Sequence, residues 1–320
     1  MSRRFLWLAG AVVAAIAIYT VGWFYAADRL VAEAQATFDR LSRGGNRASC
    51  ENAEARGYPF RIGLFCSSVF VERRAEGFTA DARAFRSAAQ VYAPTRVIAE
   101  LDAPARIDLP RFLPLHLRWQ TLRASSRLAM PLPERLSVAA EGLSAEADTP
   151  GAGNTGLFDA QRAELHLRPA GPDLDLALRA DALQAGPLLA EGKLPPVSGI
   201  ADLKLIDGMG HIERRDFDLP GAEFEIRRID LTVEGGGTLS ATGPLSIGHD
   251  GLIDADLQVK ASDAKALFGI AARAFPEIGS ELLTLGAGLG ALGPDQPLPL
   301  RIRDGVATLG FIELGRIPPL

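Results

Sequence analysis

Hydrophobic positions along this chain change their period twice. The first stretch, FLWLAGAVVAAIAIYTVGWFYAA from Phe5 to Ala27, is apolar without interruption and holds no formal charge. From Asp28 to Arg43 the spacing becomes helical, with Leu30, Ala34, Phe38 and Leu41 on one stripe. Gly44-Gly45 ends that pattern. From about Val69 onward apolar residues alternate with polar ones, the period of a strand with one oily and one wet face.

The alternation is clearest at Ile107 with Leu109, at Leu115, Leu117 and Trp119, and at Leu136 with Val138. It returns at Leu165 with Leu167, at Leu174, Leu176 and Leu178, and at Leu203 with Leu205. Phe224 and Ile226, then Ile229, Leu231 and Val233, then Leu257 with Val259, and finally Leu298, Leu300 and Ile302 extend it. Between Ile226 and Ile229 the apolar positions pass from even to odd numbers, which predicts a β-bulge across Arg227-Arg228. Asp207-Gly208, Asp250-Gly251 and Asp304-Gly305 read as hairpin turns, because both central residues of a type I′ turn need positive φ. One helical insertion interrupts the strands near 263–292: Asp263 is its expected N-cap, KALFGIAARAF its first piece, and a Gly-rich second piece follows Pro276. Two stretches, opening at Leu183 and Leu239, share Gly-Pro-Leu and a later Ala-Asp-Leu. They read either as repeated hairpins or as a chance likeness between Leu- and Gly-rich segments. The expected fold is mainly β: an N-terminal transmembrane helix, then a long curled antiparallel β-sheet of roughly a dozen strands or more, with one or two helices.

At about 1.5 Å per residue the first segment reaches about 34 Å, enough for a hydrocarbon core of about 30 Å. A secretory signal would have an apolar run of about 7 to 15 residues and small residues at its cleavage site. Here the bulky Phe24 and Tyr25 precede the obvious cuts at Ala26 and Ala27. The favoured reading is an uncleaved anchor; a removed signal peptide and a buried core helix are the alternatives. Trp7, Tyr19, Trp23, Phe24 and Tyr25 lie near its ends, where aromatic belts form. Arg3 and Arg4 favour a cytoplasmic amino terminus although Arg29, Arg40, Arg43 and Arg47 follow the segment, since long domains translocate largely regardless of charge. The chain then divides into a cytoplasmic 1–4, an anchor 5–27, a helical stalk 28–43 and a periplasmic β-rich domain 44–320 containing the helical insertion.

Cys50 and Cys66 are the two cysteines of the chain. A close, isolated pair suits one disulfide in an oxidising compartment, contributing about 3 kcal/mol through loop closure. Two free buried thiols, or half of a metal site that lacks further His or Cys ligands nearby, are the other readings.

Composition is that of a folded protein, with 48% hydrophobic residues, 23% charged and a net charge of -5. Basic residues are interspersed with acids rather than clustered, which argues against a nucleic-acid partner. His116, His166, His211 and His249 are dispersed, without metal-ligand spacing. Gly288, Gly290 and Gly293 spell GxGxxG but follow a helical leucine run rather than a strand, the wrong context for a dinucleotide. The pairs Asp173/Asp175, Asp216/Asp218 and Asp254/Asp256 read as period-two acids of a wet strand face, with calcium or acid-base chemistry as the alternative. No nucleophile elbow or phosphate-binding loop occurs, so neither an enzyme nor a cofactor is expected.

A sheet of this size presents an apolar face that one or two helices cannot cover. Exposed apolar patches beyond a few hundred Å² mark interaction sites. The face therefore either folds on itself as a sandwich with a filled core or holds something greasy in a groove. Candidate lining residues are Leu174, Leu176, Leu178, Leu203, Leu205, Phe224, Ile226, Leu231, Val233, Leu257 and Val259. The groove reading gives a binder of phospholipid or another acyl-chain ligand; the sandwich reading gives a non-enzymatic scaffold for envelope proteins.

The opening anchor, the loop between Cys50 and Cys66 with its Gly57-Tyr58-Pro59-Phe60-Arg61-Ile62, and the closing DGVATLGFIELGRIPPL resemble the DUF2125 family, alphaproteobacterial envelope proteins of unknown function. The resemblance runs nearly end to end. More distantly the chain is similar to AsmA-like envelope proteins, which implies a membrane helix followed by a curled β-sheet with a hydrophobic groove implicated in phospholipid movement. Placement in the bacterial inner membrane, with the main domain in the periplasm, follows from the same resemblance. At about 4.8 Å per strand, a sheet of about fourteen strands extends about 65 Å, which favours a carrier, adaptor or assembly partner over a complete bridge between membranes.

Overall fold

The computed structural model describes residues 3–319 except 111, 130–132, 152, 190–193, 215–218, 275–278, 292, 294–295 and 311. The apolar segment and the helical stripe after it form one helix without a break, α1 (Arg3–Leu41). It contains no proline, and it ends where Gly44 and Gly45 take positive φ of 69° and 87° and turn the chain back. Ser42 fixes that reversal, its Oγ accepting from Ala48 N at 2.9 Å and donating to Ala48 O at 3.1 Å. The rest is mainly β, and the described strand pairings are antiparallel. The residues gather into two compact units, Met1–Leu117 with Thr121–Leu128, and Arg118–Gln120 with Ala129–Leu320.

The first unit holds ten short strands: β1 (Arg47–Glu51), β2 (Glu54–Arg56), β3 (Arg61–Cys66), β4 (Ser68–Arg73), β5 (Phe78–Ala82), β6 (Phe85–Gln90), β7 (Ala93–Leu101), β8 (Ala105–Asp108), β9 (Leu115–Arg118) and β10 (Thr121–Arg127). They pair as two ladders, β1-β4-β5-β8-β9 and β2-β3-β6-β7-β10. The register reveals a simpler object. Glu51 faces Ser68 in one ladder and Glu54 faces Phe65 in the other, a single unbroken alignment. Val69 with Ala82 and Cys66 with Phe85 continue each other in the same way. The ten pieces are therefore five long strands in a meander, each interrupted near its middle, and the interruptions line up as a seam across the sheet. Ser67 N donates to Glu51 O at 2.8 Å and Asn52 Nδ2 to Ser67 Oγ at 2.9 Å along that seam. Cys50 and Cys66 form a disulfide beside it, with Cα atoms 5.2 Å apart. α1 lies against β1, β2 and β3, covering the edge of the meander.

The second unit is a meander of ten strands, each paired with the next: β11 (Arg135–Thr149), β12 (Gly153–Ala170), β13 (Asp173–Ala185), β14 (Val197–Leu205), β15 (Glu223–Val233), β16 (Gly237–Ile247), β17 (Ile253–Ala261), β18 (Leu298–Arg303), β19 (Val306–Leu309) and β20 (Ile312–Arg316). No described pairing joins β11 to β20, so this sheet is open. The register shifts between Ile226 and Ile229, placing a bulge at Arg227-Arg228 as the parity change predicts. Further shifts lie at Ala145/Glu146, Ala180/Leu183 and Asp202/Leu203. Each adds local twist and bends its strand.

Three helices join these strands: α2 (Gly208–Arg214) between β14 and β15, and α3 (Ala264–Ala274) and α4 (Gly279–Gly290) between β17 and β18. Asp263 caps α3, its Oδ1 accepting from Ala266 N at 2.9 Å. Of the expected hairpin turns, Asp304-Gly305 is one, with φ of 47° and 76° between β18 and β19. Asp250-Gly251 sits in a longer loop in which Asp250 Oδ1 accepts from Leu252 N, and of the two only Gly251 has positive φ. Asp207-Gly208 corrects the expectation: Asp207 has φ of 49°, but the chain enters α2 instead of returning as a strand. Gly208 is buried there, and a Cβ on it would stand 2.6 Å from Leu174 Cβ, which leaves room only for glycine. The two Gly-Pro-Leu segments also differ: 186–188 follows the end of β13, whereas 243–245 lies inside β16.

Candidate functional site

In the second unit the register places every expected lining residue on one face of the sheet. One row runs Leu136, Leu167, Leu176, Leu203 and Ile226 from β11 to β15. It passes the side-chain-free Gly243 and resumes with Leu257, Leu300 and Leu309. A second row holds Val138, Leu165, Leu178, Ala201, Ile229, Ala241, Val259 and Leu298. A third holds Pro169, Leu174, Leu205, Phe224, Leu245, Ala255 and Ile302. Leu231 stands opposite Gly199 and Leu239, and Val233 opposite Val197 and Gly237. With strands about 4.8 Å apart and rows spread over about 26 Å of strand, this face covers roughly 1,100 Å².

That face is only partly shielded. Leu174, Ile226 and Leu257 are buried; Leu176, Leu203, Leu205, Phe224, Leu231, Val233 and Val259 are partly buried; Leu178 is 42% exposed. Shielding is densest where Ile226, Leu257, Ile302, Ala255 and Ala307 form a cluster, with Leu203, Leu300 and Ile317 against it. Among the described residues the largest side chain wholly withdrawn from solvent is Cys66, in the other unit. In a filled sandwich core most such Leu and Phe side chains would be buried. α2 abuts the end of the face at Leu174 and Leu205, and α3 meets the β15–β16 turn, where Ile270 Cδ1 would stand 2.5 Å from a Cβ on Gly236.

The opposite face is charged and internally paired. Asp175 accepts from Arg168 Nη2 and from Arg227 Nη2, each at 2.7 Å, and the Arg168 hydrogen bond is the first cause holding its carboxyl below the usual Asp value. Glu164 is held low first by His166, whose Nε2 lies 3.2 Å away, and then by Arg162. His166 Nδ1 also meets Ser137 Oγ at 2.9 Å, so this histidine is a partnered member of the wet face. Asp173 Oδ1 accepts from Asp207 N, Asp254 Oδ1 accepts from Asp304 N, and Asp256 pairs with Arg303 at 2.6 Å. Protein donors thus hold the Asp173/Asp175 and Asp254/Asp256 pairs; Asp216 and Asp218 lie outside the described residues. A cleft of about 410 Å³ draws on both faces, lined by Phe224, Leu245 and Ala255 of the apolar rows and by Glu225, Ser246, Asp256 and Arg303 of the charged side. No group of three metal-ligating side chains occurs among the described residues. Gly288 and Gly290 lie at the end of α4, as the helical reading of that motif requires.

Sequence reasoning left the Gly57–Ile62 segment without a role, and the first unit supplies one. The turn before β3 docks on α1. Trp23 Nε1 donates to Arg61 O at 2.9 Å, Tyr19 Oη donates to Pro59 O, and Thr20 Oγ1 lies 2.8 Å from Tyr58 Oη. The Tyr58 ring meets Trp23 edge-on at 5.4 Å and stacks on Phe24 at 5.9 Å. Tyr19, Trp23 and Ala27 share one stripe of α1, and Trp23 and Ala27 are its buried residues. Its trace in the sequence is Tyr19 and Trp23 four residues apart, each carrying a polar group within an apolar run, a trace that membrane-interface aromatics share.

Among the described helices, α1 is the one long and apolar enough to cross a membrane: its most apolar 18-residue stretch has a mean hydropathy of 2.1 and none of it is buried. The model of DUF2125, a family described as uncharacterized protein conserved in bacteria, matches residues 23–318, and the chain belongs to that family. No curated protein matches it.

Proposed function

We propose that this DUF2125 protein is a membrane-anchored envelope protein that holds acyl chains, phospholipid or lipid-like, against the apolar face of its ten-strand meander. The carrying observation is that face itself: rows of apolar side chains, mainly Leu, Ile, Val and Ala, most of which remain partly exposed. Each methylene withdrawn from water contributes about 0.8 kcal/mol, so two acyl chains bind there without a specific polar contact. Ligand retention is then a matter of desolvation, no residue is catalytic, and no cofactor is needed. An N-terminal apolar helix and a large open sheet are compatible with such a protein, and the disulfide suits a periplasmic domain. The inner membrane is the bilayer that fits this reading, and aid to phospholipid transport or envelope assembly is the role it supports.

The test is photocrosslinking of the full chain in proteoliposomes that contain a phospholipid with a photoactivatable acyl chain, followed by peptide mapping. Crosslinks should map to β13, β14 and β15 as well as to α1, and should fall in a Leu176→Asp/Leu205→Asp variant that retains its disulfide and its melting transition. Crosslinks confined to α1 would refute the groove, and a protein scaffold would become the better reading.

A further inference from the structure

We propose that the end of the first unit that docks on α1 is immersed in the outer leaflet of the bilayer, with aromatic and aliphatic turn residues in the acyl region and arginines at the phosphates. This rests on the anchoring role of α1 proposed above and goes beyond it, since an anchor alone would leave the β domain in water.

Length carries the first step. Counted from Phe5, a hydrocarbon core of about 30 Å takes about 20 residues of helix and ends near Phe24. Tyr19, Thr20 and Trp23 therefore lie inside the apolar layer, and the turn bonded to them lies at the same depth. Were the membrane to end below Tyr19, about 15 residues would remain, roughly 22 Å of helix, too short to span.

The hydrogen bonds at the docking contact agree. Backbone and side-chain polar groups within a bilayer must find partners in the protein. The turn gives the hydroxyls of Tyr19 and Thr20 and the indole N–H of Trp23 their partners. In the same segment Gly57 O accepts from Arg61 N at 2.9 Å and Phe60 O from Val91 N at 3.1 Å.

The tips of that end expose apolar and aromatic side chains. The last bond ties the turn to the β6–β7 hairpin, so that two turns present Phe60, 71% exposed, and Tyr92, 77% exposed, together with Val91. Leu128, half exposed, follows β10 beside them and donates its N–H to Thr95 O at 2.8 Å. Arg61 and Arg96, both exposed, stand one and four residues behind Phe60 and Tyr92 in sequence, close enough for their long side chains to reach the headgroups. The far end of the same meander supplies a contrast: Phe112 is 70% exposed there, in the turn between β8 and β9, beyond the reach of the apolar part of α1.

The experiment places an environment-sensitive fluorescent amino acid at Trp7, Phe60, Tyr92 or Phe112, one site per sample. The full chain is reconstituted in phosphatidylethanolamine–phosphatidylglycerol vesicles with and without brominated acyl chains. All four positions are exposed, and an intact disulfide with an unchanged melt verifies folding. Bromine should reduce emission several-fold from the probes at positions 7, 60 and 92 and leave that at 112 unchanged. Quenching at 7 without quenching at 60 and 92 would overturn the immersed end and keep the anchor. Equal quenching at 112 and 92 would also overturn it, since contact would not be confined to the docked end. No quenching at 7 would remove the anchor itself and this inference with it.

Discussion

Replacing Leu178 and Ile226 separately by aspartate distinguishes an open apolar face from a packed core, because the two residues lie on that same face at opposite extremes of exposure. Leu178 is 42% exposed and Ile226 is 6% exposed. Full burial of such a side chain is worth about 1.5–3 kcal/mol, so Leu178→Asp forfeits about 1 kcal/mol of transfer energy and leaves its carboxylate in water. Unfavourable strand propensity raises the total to about 2 kcal/mol at most. Ile226→Asp loses the whole transfer energy and also places an unpaired carboxylate among Leu257, Ala255 and Ile302, a further cost of several kcal/mol. That is comparable with the entire stability of a domain, about 5–15 kcal/mol. Leu178→Asp should therefore melt within about 10 °C of the wild type, whereas Ile226→Asp should not accumulate as a folded protein. In the photocrosslinking assay Leu178→Asp should lose several-fold of its lipid adducts on β13 and β14. Two results would refute the reasoning: Leu178→Asp as destructive as Ile226→Asp, which would mean a covered core, or a folded Leu178→Asp protein with undiminished adducts, which would mean that lipid does not reach this row.

Other consequences can be measured directly. Thiol titration of the unfolded, unreduced protein should find no free cysteine, and Cys50→Ala/Cys66→Ala should lower the stability of the first unit by about 3 kcal/mol in chemical denaturation. Asp175 has a carboxyl pKa below the ordinary 3.8, so its contribution is fully present above that value and disappears as pH falls through the lower folded value. Denaturation midpoints should drop in that acid window, and Arg168→Gln/Arg227→Gln should shrink the drop. Gly63→Ala puts a Cβ 1.7 Å from Ser87 O, forcing β3 from β6; limited proteolysis should then cut the first unit at protease levels that spare the wild type.

How far the sequence reveals this molecule follows from where side chains alternate cleanly. In the second unit, Leu174, Leu176, Leu178 and their neighbours on β14 to β17 keep period two over long strands, so the common face could be assigned before any strand order was known. Even the bulge at Arg227-Arg228 left its mark as a change of parity. α2 was hidden because Asp207-Gly208 satisfies a hairpin's demand for positive φ and a helix entry equally well, and Gly208 is there to clear Leu174. In the first unit each long strand breaks at the seam into short pieces, as in Arg61–Cys66 followed by Ser68–Arg73, so alternation surfaces only in fragments such as Leu115 with Leu117 and does not reveal the long strands. Register across Ser67 survives through backbone bonds that no residue type announces.

The docking of Tyr58 on Trp23 and Phe24 was concealed for a different reason. Aromatics near the end of an apolar helix have a sufficient explanation in the membrane interface alone. In the folded chain Trp23 is buried and its N–H is spent on Arg61 O, so this aromatic serves the protein's own packing. Tyr19 follows it four residues earlier on the same stripe, and Trp7, 81% exposed, does not. The aromatics at the two ends of α1 therefore differ in what they do: Trp7 stands exposed, whereas Tyr19 and Trp23 bind the turn that carries Phe60.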